Sequence, residues 1–116
     1  MRFLIILNEP PYGNERSYNA LRLAGSLARQ KDVQLKLFLI GDAVNCGKSG
    51  QRVPQGYYNI QLMLAALPRH GGVIGACGTC MDARGIADPE LIEGVRRSSM
   101  EELTAWTLEA DKVISF

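Results

Sequence analysis

Short apolar runs, each followed by a segment with helical spacing, constrain this chain more than any other feature. Arg2–Leu7 is a continuous stretch rich in Ile and Leu, the pattern of a strand covered on both faces. Val33–Ile40, Gly72–Ala76 and Val113–Phe116 read as three further strands, with Val95–Arg97 as a minor one. Asn14 can cap a helix in which Ala20, Leu23, Ala24, Leu27 and Ala28 share one face, closed by Lys31 and Asp32. Tyr57–Leu67 reads as a second helix, with Ile60, Met63, Leu64 and Leu67 inward and Pro68 near its end. Asp88 and Pro89 start a short helix over Pro89–Glu93, which Gly94 stops. Ser99 to Glu102 forms a capping box for a last helix through Ala110, with Leu103 and Trp106 as its core contacts. Alternation of this kind predicts an α/β fold: a three-layer α/β/α sandwich around a mainly parallel sheet of about five strands. At 116 residues the chain fits one compact domain, residues 1–116.

Charge narrows the partners. Thirteen Lys and Arg against 12 Asp and Glu leave a net charge of +1, with no basic run, so nucleic acid is a poor partner. The apolar part of the N-terminus is too short for a signal peptide or a membrane span. No membrane association is expected, and the cytoplasm is the expected location. In that reducing setting, three cysteines fit reactive thiols or metal ligands better than a disulfide framework.

In an open parallel sheet, ligand chemistry collects beyond the carboxyl ends of the strands. Asn8–Gly13, Asp42–Gln51 with Cys46, and Cys77–Cys80 all fall at that edge. Gly72–Ala76 reads as a buried strand running into a turn that carries Cys77 and Cys80, with a helical segment beginning near Cys80. A thiol there meets unpaired backbone N–H groups and the positive end of a helix dipole, which favour thiolate over thiol. Cys77 is therefore the candidate nucleophile, followed by Gly78, where backbone can approach a bound group closely. Cys80, one helical turn on, can face the same space. Arg84, near both, can lower a thiol pKa or hold an anionic sulfur group; paired with Asp82 it is an ordinary surface contact.

A Cys-x-x-Cys pair serves disulfide exchange, metal binding or persulfide handling. For thioredoxin-type exchange the pair is expected after the first strand, whereas here it follows the third. A zinc site would need Cys46, Cys77, Cys80 and His70 together. His70 precedes the third strand, at the opposite end from the cysteines, so no metal is expected. Gly41–Ser49 resembles a phosphate-binding loop but has one residue too many, and Gly50–Pro54 separates it from any helix. No cofactor is expected. Tyr57 and Tyr58 suit the mouth of a site, an oligomer contact or plain packing.

Taken together these pieces resemble the DsrE/DsrF-like sulfur-relay family, which includes the TusD-type sulfurtransferase subunits. The resemblance runs from Met1–Ile6 and the Pro11-Tyr12-Gly13 turn, through Ala76-Cys77 and Ala83–Ile86, to the closing Ala110–Phe116. It implies a sulfurtransferase-like carrier on which Cys77 accepts sulfane sulfur as a persulfide and hands it to the next protein. On this reading Cys80 or Cys46 accepts the sulfur or resolves it as a disulfide, and Arg84 and the adjacent N–H groups steady the anion. Gly78, Thr79, Tyr12 and Asp42 are then the candidate substrate-binding residues. The implied partners are sulfur-donor and sulfur-acceptor proteins and further copies of the chain, as a trimer or hexamer. Many members lack a cysteine at the position of Cys80 and at that of Cys46, so the chain is closer to stand-alone members. The alternatives are a Cys77–Cys80 thiol-disulfide oxidoreductase and a non-catalytic, oligomer-forming subunit.

Overall fold

The computed structural model describes all 116 residues. Five strands form one parallel sheet: β1 (Arg2–Leu7), β2 (Gln34–Leu39), β3 (Val73–Cys77), β4 (Val95–Ser98) and β5 (Lys112–Ser115), in spatial order β4-β3-β2-β1-β5. The expected α/β sheet architecture is therefore present. No helix is long and apolar enough to cross a membrane.

Strand order places the helices. From β1 to β4 the chain steps one way across the sheet, and α1 (Arg16–Ala28) and α2 (Ile60–Ala66) pack against each other along that path. From β4 the chain steps back past three strands to β5 through α4 (Met100–Glu109). Right-handed crossovers in opposite directions put α4 on the other face. The period of two then sorts the side chains. Lys36, Phe38, Gly75 and Cys77 point towards α4; Leu37, Leu39, Ile74 and Ala76 point towards α1 and α2. Phe38 meets Trp106 of α4 edge-on, with ring centroids 6.0 Å apart and planes at 86°. Gly75 leaves room for that indole: a Cβ there would sit 3.1 Å from Trp106 Cη2 and 3.0 Å from Ser98 Cβ.

Several boundaries differ from the sequence reading. The minor strand is β4, a full edge member of the sheet that reaches Ser98. The first helix ends at Ala28, and its cap position is Glu15; Asn14 instead accepts the Arg16 N–H in a local turn. The second helix starts at Ile60, because Asn59 accepts the Leu62 N–H and caps it there. Proline follows at once, and Leu67–His70 tightens into a 3-10 turn. The helix expected over Pro89–Glu93 is only a 3-10 turn, Asp88–Glu90. Ser99 caps α4 as expected, accepting the Glu102 N–H. The polar loop after β2 opens as a 3-10 helix, Gly41–Gly47, whose Ala43, Val44 and Cys46 are buried.

Candidate functional site

The strand carrying the first cysteine does not pass through a turn. β3 feeds directly into α3 (Gly78–Ala83), and Cys77 is both the last residue of the strand and the cap of the helix. The Cys80 N–H donates to Cys77 Sγ at 3.4 Å, and Thr79 Oγ1 lies 3.3 Å from the same sulfur. Burial by itself raises the Cys77 pKa. Hydrogen bonds from the Cys80 thiol, the Thr79 hydroxyl and the Cys80 and Thr79 N–H groups outweigh it, so the thiol lies below its ordinary value.

Cys80 goes the other way. Its burial and its hydrogen bond to Cys77 raise its pKa, against a Gly41 N–H that donates to its sulfur at 3.2 Å and the nearby Arg84 charge. Gly41 has φ of +59°, a left-handed backbone suited to glycine, and this turn at the end of β2 aims its N–H at Cys80. The pair thus divides into a Cys77 that ionises first and a Cys80 that keeps its proton.

Cys77 is only 6% exposed but opens on a cleft of about 280 Å³ lined by Gly78, Thr79, Arg97, Ser98, Ser99 and the start of α4. Cys77 is thus buried yet lines an open cleft. Parallel pairing sets Cys77 opposite Ser98 and Ala76 opposite Arg97, so β4 builds one wall of the cleft. Arg97 Nη2 donates to Asp82 Oδ2 at 2.7 Å and Nη1 to Asp88 Oδ1 at 3.4 Å. The Arg97 hydrogen bond holds the Asp82 carboxyl below its usual range.

The sequence-derived candidates separate on this geometry. Cys77, Gly78 and Thr79 share the cleft, with Cys80 directly behind. Arg84 donates from Nε and Nη2 to Asp42 at 3.0 and 2.8 Å and from Nη1 to the Cys80 carbonyl. Its partner is therefore Asp42, not Asp82, and the pair flanks Cys80, outside the Cys77 cleft. Tyr12 is a further correction. Its hydroxyl donates to Gln51 and accepts the Ile60 N–H, and its ring stacks near Tyr58 in a different cleft with Arg52, Pro54 and Tyr57.

Cys46 is corrected too. Its sulfur is fully buried, 3.6 Å from the Glu9 carbonyl oxygen and 3.7 Å from Ser17 Oγ, and faces α1. Burial pushes the Cys46 thiol up to about 11, against the Ser17 hydrogen bond. A thiol held protonated in the core is a poor acceptor or resolving group. No three His, Cys, Asp or Glu side chains gather as metal ligands, so Cys46, Cys77, Cys80 and His70 do not form the four-ligand set considered above.

The raised Cys46 value has a consequence for stability. In the unfolded chain this thiol ionises near pH 9, whereas the folded state keeps its proton to about 11. The folded state binds more protons across that window, so this contribution is complete below pH 9 and lost as pH rises to about 11. At full size it is on the order of 2–3 kcal/mol. Cys46→Ala is expected to flatten the fall of the urea midpoint between pH 9 and 11; a slope equal to wild type would show that Cys46 is not responsible.

The sequence reading missed Arg97, Ser98 and Gly41. The first two arrive through strand pairing and the third through a turn, and none stands near Cys77 and Cys80 in the chain. All three follow once the strands are placed side by side.

The comparisons with known proteins agree with this fold. The chain is 45% identical over 116 residues to Protein YchN of Escherichia coli K12, covering 99% of this chain and 98% of that protein. It is 40% identical over 112 residues to the uncharacterized protein MK0008 of Methanopyrus kandleri, covering 97% of this chain and 91% of that protein. The crystal structure of YchN from E. coli superposes with a TM-score of 0.93, over 99% of this chain and 98% of that one. MTH1491 from Methanobacterium thermoautotrophicum, a protein of unknown function, shares the fold at 18% identity with a TM-score of 0.77, over 99% of this chain and 98% of that one. The DsrE/DsrF-like family profile matches residues 1–116. The chain belongs to the DsrE/DsrF-like family.

Proposed function

We propose that the protein is a sulfur carrier whose working atom is Cys77 Sγ. The observation that supports this most is the capping geometry, in which a sheltered sulfur open to a cleft accepts the Cys80 N–H and lies beside Thr79 Oγ1. In the reaction, the Cys77 thiolate attacks the outer sulfur of a donor persulfide, R–S–SH. A new S–S bond forms on Cys77, the donor's own S–S bond breaks, and its electron pair leaves with R–S⁻. No net oxidation occurs, and the step needs proximity and an ionised thiol. The Cys77 persulfide then passes its outer sulfur to the thiol of a partner protein. Alternatively Cys80 attacks the inner sulfur, which forms a Cys77–Cys80 disulfide and releases sulfide. The protein acts as a homo-oligomer, in keeping with its family resemblance, and sedimentation reads this directly as a mass above that of one chain.

Incubation with a persulfide donor followed by peptide mapping should place one added sulfur on the Cys77 peptide. Cys80→Ser should retain that added sulfur and lose sulfide release. Sulfur located on Cys80 or Cys46 in the wild type would reject the assignment. The closeness of Cys80, whose N–H donates to Cys77 Sγ, favours a second reading, thiol-disulfide exchange. That reading needs an intrachain Cys77–Cys80 disulfide under mild oxidant, and it falls if none forms.

A further inference from the structure

Gly78 begins α3, and its φ is not in the left-handed region, so its own backbone does not call for glycine. Its neighbour does. A Cβ on Gly78 would lie 2.8 Å from Arg97 Nε, 3.0 Å from Cζ and 3.1 Å from Nη2. The guanidinium therefore occupies the space a side chain would take, directly beside the residue that carries the sulfur. Parallel pairing of β4 with β3 brings it there, and Asp82 and Asp88 hold its two terminal nitrogens. Nε makes no hydrogen bond within the chain, and the side chain lines the Cys77 cleft.

The surroundings of this group say what it is for. The Arg97 charge has its partners in Asp82 and Asp88. The two carboxylates compensate that charge, which leaves a rigid planar donor acting at hydrogen-bond range. Such a fork matches a carboxylate. The cleft, at about 280 Å³, admits a ligand of amino-acid size.

We propose that Arg97 is the substrate-orienting residue of the Cys77 cleft, and that the sulfur donor is a small thiol persulfide bearing a carboxylate. This deepens the sulfur-carrier reading and rests on it. Arg97 binds the carboxylate through N–H groups not engaged by Asp82 and Asp88, and so aims the outer sulfur at Cys77. Gly78 permits that placement.

Two pairs of probes test it. Iodoacetate and iodoacetamide alkylate Cys77 at the same carbon, but only the first carries a carboxylate. Cysteine persulfide and cysteamine persulfide deliver the same sulfur, and again only the first carries a carboxylate. Arg97→Gln is expected to lower the iodoacetate-to-iodoacetamide rate ratio at Cys77 about tenfold. The iodoacetamide rate and its pH midpoint should hold, which a merely structural loss would not allow. For sulfur transfer, KM for cysteine persulfide should rise about tenfold with kcat little changed, and cysteamine persulfide should be indifferent. Gly78→Ala should displace the guanidinium and reproduce the effect, and the double variant should be no worse than either single one. Equal slowing of both reagents, or an unchanged ratio, overturns the proposal. If the wild type takes sulfur from neither persulfide, the carrier reading and its donor fall, while the ratio still decides the carboxylate site. If sulfur loads on Cys77 but Arg97→Gln leaves both pairs alone, the Arg97 assignment falls and the carrier reading stands.

Discussion

With Cys77 replaced by serine, sulfur uptake from a persulfide donor is expected to fall by at least about a hundredfold, while the fold survives. Serine is a favoured helix cap, and its oxygen can accept the Cys80 N–H that the sulfur now accepts. The thermal midpoint should therefore stay level or rise slightly. Chemistry is what disappears. A hydroxyl has no useful anion near neutrality, and the hydrogen bonds that bring the Cys77 thiol below its ordinary value cannot bring an alcohol into range. Peptide mapping of donor-treated variant protein checks this. Sulfur still loaded at a rate near wild type, on Cys80 or elsewhere, would remove Cys77 from the mechanism.

The largest expected effect on stability comes from Trp106→Ala. Trp106 is 5% exposed; its indole packs edge-on to Phe38 and fills the space left by Gly75. Lys36 Nζ and Arg96 Cζ stand 5.2 and 5.7 Å from its ring centre. Truncation removes the larger of the two side chains that α4 buries, Leu103 being the other, at a cost of about 3–5 kcal/mol. Against a total stability on the order of 5–15 kcal/mol this is severe, and the urea midpoint should drop by roughly 2 M. Gly75→Val probes the same contact from the other side: it should destabilise the wild type and do far less harm beside Trp106→Ala. A Trp106→Ala loss under about 1 kcal/mol would mean the surrounding residues refill the site, contrary to the close fit seen here.

The parts of the fold that were legible in the chain are those set by local pattern. Ile5, Leu7, Leu37 and Leu39 sit in continuous apolar runs, and the first three strands match the expected ones to within a residue. Ser99 and Glu102 mark the start of α4 because a cap is a local contact. β4 was faint because it is four residues long, and Arg96 and Arg97 interrupt its apolar character.

The site was half legible. Cys77, Gly78, Thr79 and Cys80 are consecutive, so one strand-to-helix junction places them all. Arg84 is close to them in sequence, yet it binds Asp42, more than 40 positions away. Arg97 lies 20 positions beyond Cys77 and joins the lining of its cleft only through the register of β3 with β4. Cys46 misled for a related reason. Asp42, Asn45 and Lys48 made its segment look solvated, but Ala43, Val44 and Cys46 share the inward side of a 3-10 helix. The spacing of those three apolar residues was the available signal.

The account rests on a Cys77 sulfur that ionises readily because donors from its own helix and from Cys80 converge on it. Its most direct test is the rate of Cys77 alkylation by iodoacetamide as a function of pH, read by peptide mapping. The expected profile has a midpoint below that of an ordinary thiol, with Cys77 modified before Cys80 and with Cys46 untouched until the protein unfolds. A midpoint at or above the ordinary value, or Cys80 reacting first, would contradict it.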